Sequence, residues 1–413
     1  MNDKFNKKLA QSYKHNASIV RVLGACIVLC LVFAGGFLLR GNVDLLESLG
    51  FEGLVVKSGS QQSDSLDSDG DSLSARVAEV DGVLEDESSY EYGLDSMTSD
   101  VLGAYAATLK DPFLRYYDAA SYQKYLDSTT NSDQGIGVLF FESDGKVKVA
   151  DVLESSRAGA VGVKSGDFVM AIDGDERDNW SLPEVLSALS RDEGDSVYVK
   201  FGRQDDSGKK TSYEVTLTYS SSKSKNVSYE IRDRVAVLDL KQISADSSSA
   251  MKSAVKECLD KGATSFVLDL RNVPGGYLTQ AVGIASLFMD GGTVVQVKTK
   301  DGVSSKKAEG SRLTGAPLVV LVNAQTAGSA EVLAAALQES GRAQLVGVAT
   351  QGKGTIQVMK QLSFGGALRY TVATYLTAKG RSFDGVGLTP DIVQRGSAKQ
   401  KSGAIELARS EAS

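Results

Sequence analysis

The sequence predicts an α/β protein built on a mixed, largely parallel sheet with helices, preceded by a β-rich insert. Three observations carry this. From Val235 to Val322, strand-like and helix-like patterns alternate, as parallel strands joined by crossover helices require. The runs FVLDL (266–270) and LVVLV (318–322) are apolar throughout but for Asp269, which suits strands covered on both faces. From Gln134 to Tyr219, short alternating runs are separated by turn residues, with one helix-like stretch at Leu182–Ser190.

Taken in order, residues 1–21 carry Lys4, Lys7, Lys8, Lys14 and Arg21, and residues 22–39 (VLGACIVLCLVFAGGFLL) carry no charge. That run is long enough to cross a bilayer as one transmembrane helix, and the basic residues before it place the amino terminus in the cytoplasm. The rest of the chain is then exported. A cleaved signal peptide ending at the small residues 34–36 is the competing reading. Residues 40–75 read as a tether, because KSGSQQSDSLDSDGDSLS (57–74) is almost without large apolar side chains. Residues 76–130 form a short helical cap segment, with two helices ending near Asp111-Pro112.

The β-rich insert spans 131–220, with strands at Ile136–Phe141, Lys146–Leu153, Phe168–Ile172, Ser196–Phe201 and Tyr213–Tyr219. The core spans 221–396, with a contribution from 76–130. It alternates a strand at Val235–Leu240, a helix at Ser247–Lys261, a strand at Ser265–Leu270, a helix at Leu278–Phe288, and strands at Thr293–Lys298 and Leu318–Val322. Residues 397–413 read as a carboxyl-terminal tail.

Composition removes several functions. At 413 residues, roughly two or three folded units are expected beside anchor and linker. A net charge of −7 without a basic stripe speaks against nucleic acid. The single histidine, His15, precedes the apolar run, and of three cysteines only Cys258 lies beyond it. No disulfide inside the exported part, no His/Cys metal site and no imidazole base are therefore available there. No metal or organic cofactor is implied, and the oligomeric state is left open between monomer and homo-oligomer.

Chemistry is expected at two strand ends. RNVPGGY (271–277) and NAQTAGSAE (323–331) each turn from a strand into a helix, presenting backbone N–H groups at one sheet edge, where they can stabilise a developing oxyanion. Gly275 and Gly276 alone could also be simple turn glycines. Ser329 opens an alanine-rich helix, and Lys353 lies in a glycine-flanked turn with no acid between Gly341 and Gln361, so burial could strip its proton. Gln357 could hold the neutral amine without adding charge.

In GIGV (135–138) with SSRAGAVGVKSGDFVMAIDG (155–174), the insert resembles a PDZ domain of bacterial periplasmic proteases. The resemblance implies that Gly135, Ile136, Gly137 and Val138 capture a peptide carboxylate on backbone N–H groups. DPFLRYY (111–117), LDLRNVPGG (268–276), GRAQLVGVATQGKGTIQ (341–357) and FDGVGLTPDI (383–392) resemble, in that order, the motifs of the carboxyl-terminal processing peptidases, or tail-specific proteases. That family implies an exported, often membrane-anchored serine endopeptidase with a Ser-Lys dyad, acting on protein or peptide substrates with free carboxyl termini. By position it assigns Lys353 as base and Gln357 as its holder. The oxyanion donors would be the turn at Gly275 and Gly276 and the N–H after the nucleophile, Ala330 if that nucleophile is Ser329.

One position departs from the pattern. The family places its serine three residues before the glutamate and twenty-five before the lysine; counting back from Glu331 and from Lys353 both give Gly328 (331 − 3 and 353 − 25). Three readings stay open: a nucleophile shifted to Ser329, an inactive relative that only binds tails, and an engineered Ser-to-Gly change. A helix residue one place on points about 100° away, so a shift needs backbone rearrangement.

Overall fold

A computed structural model describes residues 72–412, apart from 91–92, 131–133, 144, 154–155, 205–207 and 222–224. The expected anchor at 22–39 lies outside the described residues, as does most of the tether. Among the described residues, no helix is long and apolar enough to cross a membrane. The chain divides into two compact units, Met1–Glu91 and Tyr92–Ser413. In the first, α1 (Leu73–Glu87) begins with three residues inside the expected tether, capped by Ser72, whose side chain accepts from Ala75 N–H.

The second unit opens with α2 (Leu94–Thr108), β1 (Arg115–Tyr117) and α3 (Ala119–Thr130). The β-rich region follows: β2 (Gln134–Gly135), β3 (Val138–Ser143), β4 (Lys146–Val152), α4 (Arg157–Ala160), β5 (Phe168–Ile172), β6 (Asp175–Glu176), α5 (Leu182–Leu189), β7 (Ser196–Gln204), β8 (Lys210–Thr218) and β9 (Ser220–Ser221). Its antiparallel sheet runs β3-β4-β5-β7-β8. Alternation along β7 sends Val197, Val199 and Phe201 into a core that also holds Val147, Val149, Trp180 and Leu217. A capping box, Ser181 with Glu184, starts α5. The chain enters on β2 and leaves on β9, which pair with each other, so the region is an insertion whose two ends meet.

The rest comprises β10 (Val227–Arg232), β11 (Val235–Leu240), α6 (Ser247–Asp260), β12 (Ser265–Asp269), α7 (Leu278–Ser286), β13 (Thr293–Thr299), β14 (Gly302–Lys307), β15 (Leu318–Val322), α8 (Ser329–Glu339), β16 (Gln344–Gly347), β17 (Thr355–Gln361), β18 (Ala367–Leu376), β19 (Ile392–Val393) and α9 (Ser397–Glu411). One sheet runs β10-β11-β12-β15-β16-β19, parallel throughout except for β10. Its two faces explain the continuous apolar runs. Leu238, Phe266, Leu268, Val320 and Leu345 belong to a core shared with α6, α7 and α8. Val237, Val267, Val319 and Leu321 face Ala404, Ile405 and Ala408 of α9. At about 1.5–3 kcal/mol for each fully buried large aliphatic or aromatic side chain, both layers are needed.

Two expectations change here. Residues 397–413 are largely helix rather than tail, because α9 covers the second face of the sheet. Thr293–Thr299 is not part of the parallel sheet: β13 pairs antiparallel with β14 and β18, in a second sheet ordered β1-β18-β13-β14 with β17 on β18. The physical reason is local. Lys298, Asp301 and Gly302 end the run and turn it into a hairpin, which leaves β14 exposed along its length.

Candidate active site

The site forms where β12 and β15 end. Asn272 and Asn323, one on each turn, are joined by Asn323 Nδ2 donating to Asn272 Oδ1 at 2.7 Å and by Asn272 N–H donating to Asn323 Oδ1 at 3.0 Å. Thr326 Oγ1 donates to Leu270 O at 2.8 Å, and Ala327 N–H donates to Val273 O at 3.0 Å. The Pro274-Gly275-Gly276 turn is thereby pressed against the start of α8. A Cβ on Gly276 would lie 2.0 Å from Ile243 O, so only glycine fits. One on Gly275 would lie 3.2 Å from Ser329 N and 3.5 Å from Ser329 Oγ.

Glu331 organises the remainder. Fully buried, its carboxylate accepts from Gly328 N–H at 2.9 Å, Gly352 N–H at 2.7 Å, Lys353 N–H at 2.8 Å and the Thr350 hydroxyl. Burial pushes this carboxyl above its ordinary range, and the four hydrogen bonds oppose the rise. One oxygen, Oε2, holds both Gly328 and Lys353 by their backbones. Positions 328 and 353 are therefore neighbours by construction.

Lys353 is part-buried as a residue, but its ammonium lies deep among packed atoms. Burial lowers its proton affinity below the ordinary value; Glu142 opposes this, Arg369 adds to it, and Glu331 opposes it more weakly. Lys353 Nζ and Arg369 Cζ lie 5.9 and 5.6 Å from the ring centre of Phe113. Arg369 Nη1 is 2.8 Å from Glu142 Oε2 in an ion pair that is nearly inaccessible to water. Glu142 sits on β3, so the β-rich region contributes a charge to the lysine's surroundings. Neither Glu142, Arg369 nor Phe113 was picked out from the sequence. Phe113 lies inside the DPFLRYY motif, which was the available signal.

The expected site residues fall as follows. Gly328 caps α8 with φ 57° and ψ −120°, a conformation that L side chains rarely adopt, and a Cβ there would meet nothing nearer than Pro274 O at 4.0 Å. Ser329 is 2 % exposed, and among the described residues its Oγ has no hydrogen-bond partner. Gln357 Nε2 donates to Thr355 Oγ1 at 2.9 Å and to Thr371 Oγ1 at 3.5 Å, and no hydrogen bond joins it to Lys353. Ala330 N–H is spent on Ala327 O at 3.0 Å, because the first turn of α8 tightens there. The amides of Gly275, Gly276 and Ser329 donate to no acceptor among the described residues.

At the insert, Gly135 pairs with Ser220, and Gly137 (φ 76°) accepts from Leu153 N–H at 2.9 Å. A Cβ on Gly137 would collide with Ser156 at 2.2 Å. Ile136 is buried, and Val138 begins β3 opposite Val152.

Comparison with known proteins agrees with the motifs. The profile described as Peptidase family S41 matches residues 234–394. The carboxy-terminal processing protease CtpA of Bacillus subtilis is 29 % identical over 305 residues, 72 % of this chain and 64 % of that protein. The carboxyl-terminal-processing protease of Picosynechococcus sp. is 35 % identical over 304 residues, 71 % of this chain and 72 % of that protein. The chain thus spans about two thirds of the length of these relatives. The structure of a photosystem II D1 C-terminal processing protease superposes with a TM-score of 0.67 at 25 % identity, covering 82 % of this chain and 91 % of that one. The chain belongs to peptidase family S41.

Proposed function

We propose that the chain is a serine endopeptidase that cleaves proteins near their carboxyl termini. In this reading it is anchored through residues 22–39, with its peptidase part outside the cytoplasm and a PDZ-type loop at 135–138 receiving the substrate tail. Ser329 attacks the scissile carbonyl. Neutral Lys353 takes its proton and passes it to the leaving amine, and water then releases the acyl group from the serine. The N–H groups of Gly275, Gly276 and Ser329 hold the oxyanion, the nucleophile's own amide serving beside a glycine turn. Gln357 acts through Thr355 and Thr371, fixing β17 to β18 behind the lysine.

The supporting observation is the buried Ser329 hydroxyl, which has no hydrogen-bond partner among the described residues. Such a group forfeits about 1–3 kcal/mol, which alanine at that helix position would avoid, so a use outside the resting fold accounts for it.

A second reading is a tail-binding relative that does not cleave. It is favoured by Gly328, whose backbone has the sharp strand-to-helix form of a nucleophile seat and has room for a side chain. The full-length protein in nonionic detergent, incubated with an unstructured peptide, separates the two. Cleavage by the unaltered chain that disappears in Ser329→Ala supports the first reading. Cleavage seen only in Gly328→Ser establishes the second.

A further inference from the structure

A second surface of the core carries a charge pattern that the catalytic reading leaves unused. A cavity of about 1110 Å³ opens between α6, α7 and the segment from β14 to Leu313. Four lysines line it: Lys252 and Lys256 on α6, and Lys306 and Lys307 on β14. All four are exposed, and among the described residues none is paired with a carboxylate. Lys252 and Lys256 are one helical turn apart, where like charges repel. Arg312 at the rim is neutralised by Asp290 at 3.0 Å, and Glu309 is the one acid in the lining. In a chain with 52 acidic and 45 basic residues, this is a local reversal of sign.

The floor is apolar, made of Leu278, Val282, Leu287 and Leu313, and one wall is β14, the last strand of its sheet among the described residues. An exposed edge strand offers N–H and C=O groups to another extended chain. A bilayer surface or a phosphate polymer could answer the lysines but neither the floor nor the strand edge. Leu278 stands two residues beyond Gly276, so the groove leads away from the proposed oxyanion turn.

We propose that this groove is an exosite for an acidic, leucine-bearing stretch of polypeptide, held extended along β14 with its carboxylates on the four lysines. That the polypeptide is a substrate rests on the function proposed above; the binding itself does not require cleavage.

The test uses the full-length chain in nonionic detergent and a fluorescein-labelled peptide of alternating Glu and Leu, followed by anisotropy. The unaltered protein is expected to bind it, and affinity should fall at least about tenfold when salt rises from roughly 0.05 to 0.5 M, or when Gln replaces Glu in the peptide. Two double variants, Lys252→Glu with Lys256→Glu and Lys306→Glu with Lys307→Glu, should each lose about tenfold or more. Both alter exposed side chains, and an unchanged thermal unfolding midpoint verifies their fold. Equal affinity of the variants overturns the proposal, as does a protein that ignores the peptide but binds phosphatidylglycerol vesicles or polyphosphate through these lysines. Peptide binding that survives in a chain without peptidase activity leaves the exosite standing and removes only its link to cleavage.

Discussion

At the scale of single residues, Glu331 and Lys353 make opposite predictions. Glu331→Ala strips the acceptor from three backbone N–H groups and one hydroxyl in a dry place, and stability should fall by about 3 kcal/mol or more in denaturant unfolding. Lys353→Met removes a cation that burial disfavours, so the same measurement should show stability unchanged or raised by about 1–3 kcal/mol while turnover is lost. The sign of the pH dependence follows from the lowered proton affinity. The folded chain binds the Lys353 proton more weakly than the unfolded chain does, so this group's contribution to stability is complete above the ordinary lysine value of 10.5 and is lost as pH falls through the lower folded value. In the mechanism proposed above the neutral amine is the base, so the acid limb of the unaltered chain's rate profile should lie below 10.5. The burial of the Lys353 amine was legible in the sequence, from a stretch without acids, whereas the part of Glu331 in holding Gly328, Gly352 and Lys353 was not, because the N–H groups it accepts from lie up to 22 positions away (353 − 331). The Glu142–Arg369 pair was not, because its partners are 227 positions apart (369 − 142) and nothing local marks either one.

At the scale of elements, the strands bounded by continuous apolar runs were readable to within a residue or two. Val235–Leu240 and Leu318–Val322 match outright, because burial on both faces leaves no ambiguity of period. β13 was recognised as a strand but assigned to the wrong sheet: pattern reveals a strand, whereas its neighbours are set by the hairpin that follows. α9 escaped notice because its buried stripe is mostly Ala404 and Ala408, small side chains that give a faint periodic signal. Its contribution is nonetheless testable. Ala408→Asp places an unpaired carboxylate against Val237 and Val319 and should lower the unfolding free energy by about 3 kcal/mol or more, whereas Lys401→Ala at a part-exposed surface ion pair should change it by less than about 1 kcal/mol.

At the scale of the molecule, the insert is stitched to the core beside the candidate site by Glu142 with Arg369, by Gln351 Nε2 donating to Glu142 O at 3.1 Å, and by the hydroxyls of Tyr117 and Ser181 at 2.9 Å. Breaking the ion pair from one side, as in Glu142→Gln, should cost about 3–5 kcal/mol by leaving a guanidinium alone in the interior. Replacing both partners, as in Glu142→Gln with Arg369→Met, should recover most of that loss, and a double-mutant cycle reads the difference. The shared carboxylate oxygen under positions 328 and 353 has a consequence for how such sites diverge. Because both backbones are referenced to one fixed anchor point, a replacement at one of the two positions leaves the other's main chain where it was. The notch can thus change the side chain borne at position 328 without moving the backbone that carries Lys353.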